Sequence, residues 1–171
     1  MSDVLLIAES TPPASLVQQW LRAEESLTAL MAPAVLQQIE TEHRVSLDAL
    51  WTLLSYSTAT EEMMGRIGDW IRQHERPSKI VMCLASGQGS RSDFAQKSNS
   101  ELLACVSTQV ASPLRVLHMA LGRWPEIRCQ VLVSQPSCSL SRARNDWWST
   151  LLSELSDEYP DTTLTLKIVS D

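Results

Sequence analysis

The residues with the clearest chemical potential follow the first apolar segment, in the turn Glu9–Ser15. The run Val4–Leu21 has the pattern of a buried strand, a tight turn and the start of a helix. In many α/β proteins this unit binds a nucleotide phosphate, because glycines let the backbone approach the phosphate and the helix N-terminus attracts its charge. The turn here has no glycine, Glu9 would repel a pyrophosphate, and Pro12 and Pro13 have no N–H to donate. The sequence therefore predicts the layout of a dinucleotide site without its chemistry.

Cysteines and histidines are the other candidates for chemistry. They show no CxxC, HxxxH or HExxH spacing, so we expect free thiols and no metal site from Cys83, Cys105, Cys129, Cys138, His43, His74 and His118. One nucleophilic alternative uses Cys83 at a strand end, or Ser134 near His118. No GxSxG turn is present, and the sequence positions no base beside either residue. An enzyme with different chemistry in the same crevice is therefore kept only as an alternative.

The elements that must position these residues alternate along the whole chain. Six apolar runs predict strands, at Val4–Ala8, Ser26–Met31, Leu47–Ser55, Lys79–Leu84, Arg128–Ser134 and Leu164–Val169. The helical spacing between them includes a long helix over Ser100–Leu121, with a kink or break at Pro113, and a helix over Arg142–Tyr159. Strands that alternate with helices require crossover connections, which produce a parallel sheet with helices on both faces. We therefore predict one α/β domain over residues 1–171, with a doubly wound parallel sheet in three layers.

The composition excludes several classes of partner. The 14 basic and 20 acidic residues give a formal net charge of −6, with no basic stripe, which argues against binding to nucleic acid. No apolar run approaches the roughly 20 residues that a membrane span needs. The N-terminus has neither a basic region nor a cleavable signal pattern. We therefore expect a cytoplasmic protein that binds neither nucleic acid nor membrane.

The order and spacing of the elements resemble the short-chain dehydrogenase/reductase family over nearly the whole chain. The resemblance is carried by LLIAESTPPASLVQQWL for the first strand, turn and helix, by VMCLASG at the fourth strand, and by QVASPLRVLHMAL in the helix that follows. It implies a Rossmann-like sheet of about six strands in the order 3-2-1-4-5-6. It also implies a C-terminally truncated fold, because the family continues to a substrate lid and a seventh strand.

The resemblance places the cofactor turn and the catalytic residues of the family on other side chains. The three turn glycines fall on Glu9, Pro13 and Ser15. The family's relay asparagine falls on Gln109, and its catalytic serine falls on Ser134. The tyrosine and lysine of its Tyr-x-x-x-Lys motif fall on Ser141 and Asn145. Gln135 lies nearer than Ser134 to the position expected for the serine.

These replacements remove the chemistry of a reductase. Hydride transfer to a carbonyl needs an acid that protonates the developing alkoxide, and the family uses a tyrosine whose pKa is lowered by the lysine. Ser141 is too weak an acid for this task, and Asn145 carries no charge. Without the glycine turn, NAD(P) also loses its phosphate cradle. We therefore expect no bound cofactor and no reductase activity.

The resemblance further implies a function through protein contact. In the family, the two long helices after the fourth and fifth strands pack against their counterparts in a second subunit. Their equivalents here supply the candidate interface residues Leu114, His118, Trp124, Trp147, Trp148 and Leu151. Six tryptophans against one phenylalanine is a skewed aromatic set, and tryptophan is favoured in interface hot spots, although core packing is the alternative for Trp148. The leading hypothesis is a pseudoenzyme, a reductase-like protein without catalytic activity that acts through protein contact. It would form a homo-oligomer, or a hetero-oligomer with another protein such as an active reductase.

Two other functions stay open. The first is a receiver or flavodoxin-like regulatory domain, since VLLIAES also resembles the first strand of a receiver. Only Glu9 follows that strand and Tyr56 follows the third, so the acidic pair and the phosphorylatable aspartate are missing. The second is an NAD(P)-dependent oxidoreductase with an atypical site. A receiver would have the strand order 2-1-3-4-5, so the order of the strands distinguishes it from the reductase-like sheet.

Overall fold

A computed structural model describes residues 4–23, 26–47, 50–55, 61–84 and 97–169. The strands in these ranges are β1 (Val4–Ala8), β2 (Leu27–Met31), β3 (Thr52–Ser55), β4 (Lys79–Cys83), β5 (Arg128–Ser134) and β6 (Thr163–Val169). The helices are α1 (Ala14–Ala23), α2 (Pro33–His43), α3 (Glu61–Gln73), α4 (Asn99–Val106), α5 (Ser112–Arg123) and α6 (Ser139–Glu158). A π-helical turn over Ser107–Ala111 joins α4 to α5. Strands and helices alternate as the sequence predicts, except that two helical segments follow β4.

The six strands form one parallel sheet in the order β3-β2-β1-β4-β5-β6. β1 lies at the centre, where Leu6 is paired with Ala29 of β2 on one side and with Val81 of β4 on the other. The chain changes direction across the sheet between β1 and β4, and this switch point opens a crevice at the carboxyl ends of the strands. The predicted order is confirmed, and it differs from the 2-1-3-4-5 order of the receiver alternative.

Two apolar clusters lie on opposite faces of the sheet and explain the three layers. β1 is buried on both faces, so Leu6 packs in the cluster with Val17 of α1, whereas Leu5 packs in the cluster with Ile67 of α3. α2 lies on the α1 face, and α5 and α6 lie on the α3 face. Alternate strand residues point to opposite faces of a sheet, so a continuous apolar strand is what two covered faces require.

The third predicted strand is too long. The sequence predicts a strand over Leu47–Ser55, but the strand begins at Thr52. The N–H groups of Leu50 and Trp51 donate to Leu47 O at 2.9 and 2.7 Å, which closes a turn ahead of the strand. Leu47 and Trp51 are both buried by this turn. A short apolar run is therefore compatible with either a turn or a strand, and only the packing distinguishes them.

The long helix predicted over Ser100–Leu121 is interrupted by the π-helical turn, and not at Pro113 itself. Ser112 N–H donates to Ser107 O, which is the i→i+5 bond of a π turn. Pro113 lies in the first turn of α5, where a missing N–H costs least. The predicted break is therefore present, but it lies just ahead of the proline.

β6 forms one edge of the sheet and is covered by a helix on one face only in the described part of the chain. Leu164 and Leu166 pack against the cluster that contains α6. Thr163, Thr165 and Lys167 point to the α1 face and are exposed. Among the described helices, none combines the length and the apolar character that a bilayer crossing requires.

Candidate functional site

The β1–α1 turn lies at the switch point and is tied to the end of β4. Glu9 N–H donates to Cys83 O at 2.8 Å, and Ser10 Oγ donates to Leu84 O at 2.8 Å. Thr11 Oγ1 donates to Gln38 Oε1 at 2.7 Å. The N–H of Glu9 and the hydroxyls of Ser10 and Thr11 are therefore engaged with neighbouring parts of the chain.

The residues of the turn do not fit the pyrophosphate of a dinucleotide. Across the described residues only Arg44 has a positive φ, so the turn lacks the left-handed conformation that glycine supplies to phosphate-binding turns. Pro12, which is buried, and Pro13 have no N–H to donate. Glu9 adds a half-buried carboxyl side chain to the turn, and a carboxylate repels a pyrophosphate. No step of hydride transfer can be assigned to this crevice on the basis of these residues.

The positions that correspond to the family's catalytic residues come together around a buried arginine. Arg144, with only 5% of its surface exposed, donates from Nε and Nη2 to Asn145 Oδ1 at 2.9 and 2.7 Å. Its Nη1 donates to Gln109 Oε1 at 3.1 Å. Asn145 Nδ2 donates in turn to the backbone oxygen of Ser134 at 3.2 Å. We call Gln109, Ser134, Arg144 and Asn145 the Arg144 network.

Ser141, which stands where the resemblance puts the catalytic tyrosine, caps the start of α6. Its Oγ accepts hydrogen bonds from the N–H groups of Ser137 and Cys138 at 3.0 and 3.1 Å. The same hydroxyl donates to Cys138 O at 2.9 Å. Ser141 is buried, and its hydroxyl contacts Cys138 Sγ at 3.5 Å as well as these backbone groups.

The π-helical turn is joined to α6 by a second hydrogen bond, which forms because Pro113 has no N–H to donate to the Gln109 carbonyl. In a regular helix the carbonyl of Gln109 would accept from the N–H of residue 113, but Pro113 has none. Trp148 Nε1 donates to Gln109 O at 2.9 Å instead. Gln109 is thus held to α6 by its backbone through Trp148 and by its side chain through Arg144. A buried carbonyl that would otherwise be unsatisfied acquires a partner in this way.

Burial lowers the pKa of Arg144, because its charged form has lost much of its hydration. Sequence analysis missed this residue, although a signal was present. Ser141, Arg144 and Trp148 are spaced by three and four residues, as on one face of a helix, so Arg144 is expected to face the core with the other two. Arginine is rarely fully buried, and its burial beside amide oxygens marks this as the centre of the site.

The cysteines and histidines form no group of three metal-ligating side chains within the described ranges. Burial raises the pKa values of Cys83 and Cys129 to about 12, so both are protonated, inert thiols at neutral pH. Cys83 therefore lacks the properties of the nucleophile in the alternative hypothesis. His118 is exposed, and no hydrogen bond joins it to Ser134 in the described structure.

Cys138 differs from the buried thiols, and we expect it to react fastest with thiol reagents. It is partly exposed at the N-terminus of α6, and hydrogen bonds from the Ser141 side chain and backbone lower the pKa of its thiol, with smaller contributions from Leu140 N–H and Lys97. In a Cys105→Ser background, labelling with an aromatic disulfide should therefore reach half its maximal rate below about pH 8.5, the ordinary thiol value.

The control for this experiment is Ser141→Ala, which should move the midpoint of the Cys138 labelling profile upward. Cys83 and Cys129 should label only after unfolding. A midpoint at or above the ordinary value in the parent protein would contradict the assignment.

The candidate interface residues are divided between core and surface. Trp124 and Trp148 are buried inside the chain, Leu114 and Leu151 pack partly against the same cluster, and His118 and Trp147 are exposed. Adjacent helix positions cannot face one core, which explains why Trp148 is buried whereas Trp147 is 39% exposed. Trp124 and Trp148 are thus packing residues within this chain.

Sequence analysis also missed two surface residues on α4. Leu103 and Val106 are 71% and 54% exposed, and α4 has no buried residue at all. The apolar run LLACV indicated these residues, but the sequence analysis assigned the run to one long helix. Together with Trp147 they form the set of apolar residues that we call the α4/α6 surface.

Comparison of the chain with family models and with curated proteins found no match. Solved structures do match. A short-chain dehydrogenase from Sphingobium yanoikuyae in complex with NADPH is similar with a TM-score of 0.74 and 13% identity, over 98% of this chain and 70% of that chain. A short-chain dehydrogenase/reductase of Saccharomyces cerevisiae gives a TM-score of 0.75 at 9% identity, over 98% and 70%.

An alcohol dehydrogenase from Comamonas testosteroni, specific for bulky-bulky ketones, gives a TM-score of 0.71 at 14% identity, over 98% of this chain and 72% of that chain. Identities this low establish the fold and not the activity. The order of the strands and these structural matches lead to the same conclusion: the chain has the Rossmann-like fold of the short-chain dehydrogenases and reductases.

Proposed function

We propose that this protein is a non-catalytic relative, in fold, of the short-chain dehydrogenases, and that it acts by binding a second protein subunit. The observation that carries the proposal is the Arg144 network. It fills the positions that the resemblance assigns to the proton relay with side chains that are hydrogen-bonded to one another and to the end of β5. The proposal keeps the sequence-based predictions of a cytoplasmic protein that binds neither nucleic acid nor membrane.

The absence of an acid is the chemical support for this proposal. Reduction of a carbonyl requires a group that can release a proton near neutral pH. Gln109 and Asn145 are neutral amides, Arg144 remains a cation, and the hydroxyl of Ser141 is bonded to Cys138 O. None of these side chains can deliver a proton to an alkoxide. The network is therefore suited to holding α5, α6 and β5 together.

The first experiment tests cofactor binding. We expect NAD, NADH, NADP and NADPH to leave the thermal midpoint unchanged, because the β1–α1 turn offers a carboxylate and two prolines to the pyrophosphate. A ligand that binds the native state at 100 times its Kd would stabilise it by about 2.7 kcal/mol, which a thermal-shift assay detects readily. A clear rise with any of the four nucleotides would overturn the non-catalytic assignment.

The support for a protein partner comes from the α4/α6 surface. An isolated helix of eight residues is unstable in water unless packing against another surface stabilises it. α4 buries none of its own residues yet exposes Leu103 and Val106, and Trp147 is exposed on α6. Exposed tryptophan and aliphatic side chains are the composition of an interface hot spot. This surface is where we expect the partner to bind.

A second copy of the chain is the first partner to test, because the resemblance implies that the two long helices pack against their counterparts in a second subunit. Trp147 lies close to the middle of α6, so two copies of this helix packed about a two-fold axis would place both Trp147 side chains near that axis.

Association is tested with variants of the α4/α6 surface. In sedimentation velocity we expect a concentration-dependent dimer, and Leu103→Ser or Trp147→Ser should weaken it by about 5- to 30-fold, the effect of an interface residue worth about 1–2 kcal/mol. The matched control is Leu50→Ser, which removes another exposed leucine, just ahead of β3. A protein that stays monomeric at high concentration, with pull-downs unaffected by Trp147→Ser, would contradict the proposal.

A further inference from the structure

A cavity of about 260 Å³ lies between the start of α1 and the carboxyl-terminal halves of β5 and β6. Its wall is formed by Pro13, Ser15, Leu16, Gln19, Gln130, Leu132, Lys167, Ile168 and Val169. We call it the α1–β6 cavity. It lies on the α1 face of the sheet, away from the Arg144 network, which joins α5 and α6 on the other face.

The cavity exists because no described helix covers β5 and β6 on this face. Leu132 and Val169 pack in the cluster that also contains α1, so they form the apolar end of the opening. Farther along the same face, β6 presents Thr165 and Lys167 to solvent. A parallel sheet is normally covered on both faces, so an uncovered stretch leaves a concave space beside the nearest helix.

The chemistry of the wall is divided into a cationic part and an apolar part. Lys167 is the one charged side chain in the wall, and the structure described here shows no carboxylate within ion-pair distance of it. Amides from Gln19 and Gln130 add hydrogen-bond donors. The first turn of α1 also faces this space, and helix N-termini carry partial positive charge. In a chain of net charge −6, this is a local site for an anion.

The size and lining limit the ligand to a small molecule with two unlike ends. The volume is just below the roughly 300–1,000 Å³ of drug-sized sites, so it suits a short metabolite and excludes a nucleotide. We propose that the α1–β6 cavity binds a small organic acid, whose carboxylate pairs with Lys167 while its short apolar body rests on Leu16, Leu132 and Val169. This binding is independent of the proposed dimer, because neither α4 nor α6 lines the cavity.

The experiment is a protein-observed NMR titration with three probes of different chemistry. 3-Methylbutanoate carries both the charge and the apolar body, 3-methylbutan-1-ol keeps only the apolar body, and inorganic phosphate keeps only the charge. We expect saturable shifts of the Leu16 and Leu132 methyl groups with 3-methylbutanoate, and much weaker shifts with the other two probes. Equal binding of the alcohol, equal binding of phosphate, or no saturable shift with the acid would each overturn the proposal.

Two variants test the assigned contacts. Lys167→Gln should weaken 3-methylbutanoate binding about fivefold, the effect of an exposed ion pair worth close to 1 kcal/mol. Lys79→Gln, which removes a lysine from the amino end of β4, is the matched control and should leave binding unchanged. Gln19→Trp should abolish binding by filling the cavity without changing its charge. Unchanged affinity in either Lys167→Gln or Gln19→Trp would contradict the assignment.

Discussion

Trp148→Ala is expected to lower the free energy of unfolding by about 3–5 kcal/mol, the usual cost of truncating a fully buried tryptophan. The side chain of Trp148 has no exposed surface and packs in the cluster that joins α3, α5 and α6. Its removal also leaves Gln109 O without the donor that replaces the missing N–H of Pro113. Urea unfolding followed by far-UV circular dichroism gives the measurement.

The neighbouring tryptophan provides the matched control. Trp147→Ala should cost much less, about 0.5–1.5 kcal/mol, because Trp147 is 39% exposed and packs edge-on against Trp148. Single domains are stable by only about 5–15 kcal/mol, so Trp148→Ala could leave too little folded protein to measure. Trp148→Phe then keeps most of the packing and should cost about 1–3 kcal/mol, from the unsatisfied carbonyl. Equal effects of Trp147→Ala and Trp148→Ala would show that the burial described here is wrong.

Arg144→Met is expected to destabilise the protein by about 2–4 kcal/mol, although it removes a buried charge. The change leaves Gln109 Oε1 and Asn145 Oδ1 buried without their donors, and each unsatisfied acceptor costs about 1–3 kcal/mol. Part of that loss is offset, because methionine, unlike Arg144, does not give up the hydration of a charged group when the protein folds. Arg142→Met, two residues away and exposed, should stay within about 0.5 kcal/mol.

A triple variant shows whether the Arg144 network acts as a unit. If Arg144→Met is combined with Gln109→Leu and Asn145→Leu, no acceptor side chain is left unpaired, and the triple variant should recover much of the stability that the single variant loses. The three changes would then be strongly non-additive, as expected for residues in direct contact. Additive losses would mean that the three side chains contribute separately, and the description of one coupled network would be wrong.

The candidate site was predicted in part from the sequence. Gln109, Ser134 and Asn145 were aligned with catalytic positions, and the structure brings them together by hydrogen bonds. The residue that joins them, Arg144, was missed. Its partners Gln109 and Asn145 lie 35 positions and one position away in the chain, and no local pattern specifies that a guanidinium will be buried between two amides.

Packing also decided which apolar residues reach the surface. The sequence offered Trp124, Trp147 and Trp148 for a partner, but only Trp147 is exposed. Leu103 and Val106 were not singled out, because the long predicted helix hid the fact that α4 ends at the π-helical turn. A helical pattern gives the direction of each side chain around the helix axis, but not which direction is covered by a neighbouring element.

The sequence by itself determined the alternation of strands and helices and the presence of two prolines and no glycine in the turn after β1. Strands that alternate with helices require crossover connections and so form a parallel sheet, and Pro12 and Pro13 lack an N–H in any fold. Right-handed crossovers permit both the order 3-2-1-4-5-6 and the order 2-1-3-4-5, so the observed order is a property of the folded chain. Tertiary structure alone decided that Arg144 is buried, that Trp148 donates to the Gln109 carbonyl, and that Leu47 closes a turn. Connectivity and covalent chemistry are properties of the chain, whereas burial and pairing depend on distances between residues that only the folded packing brings together.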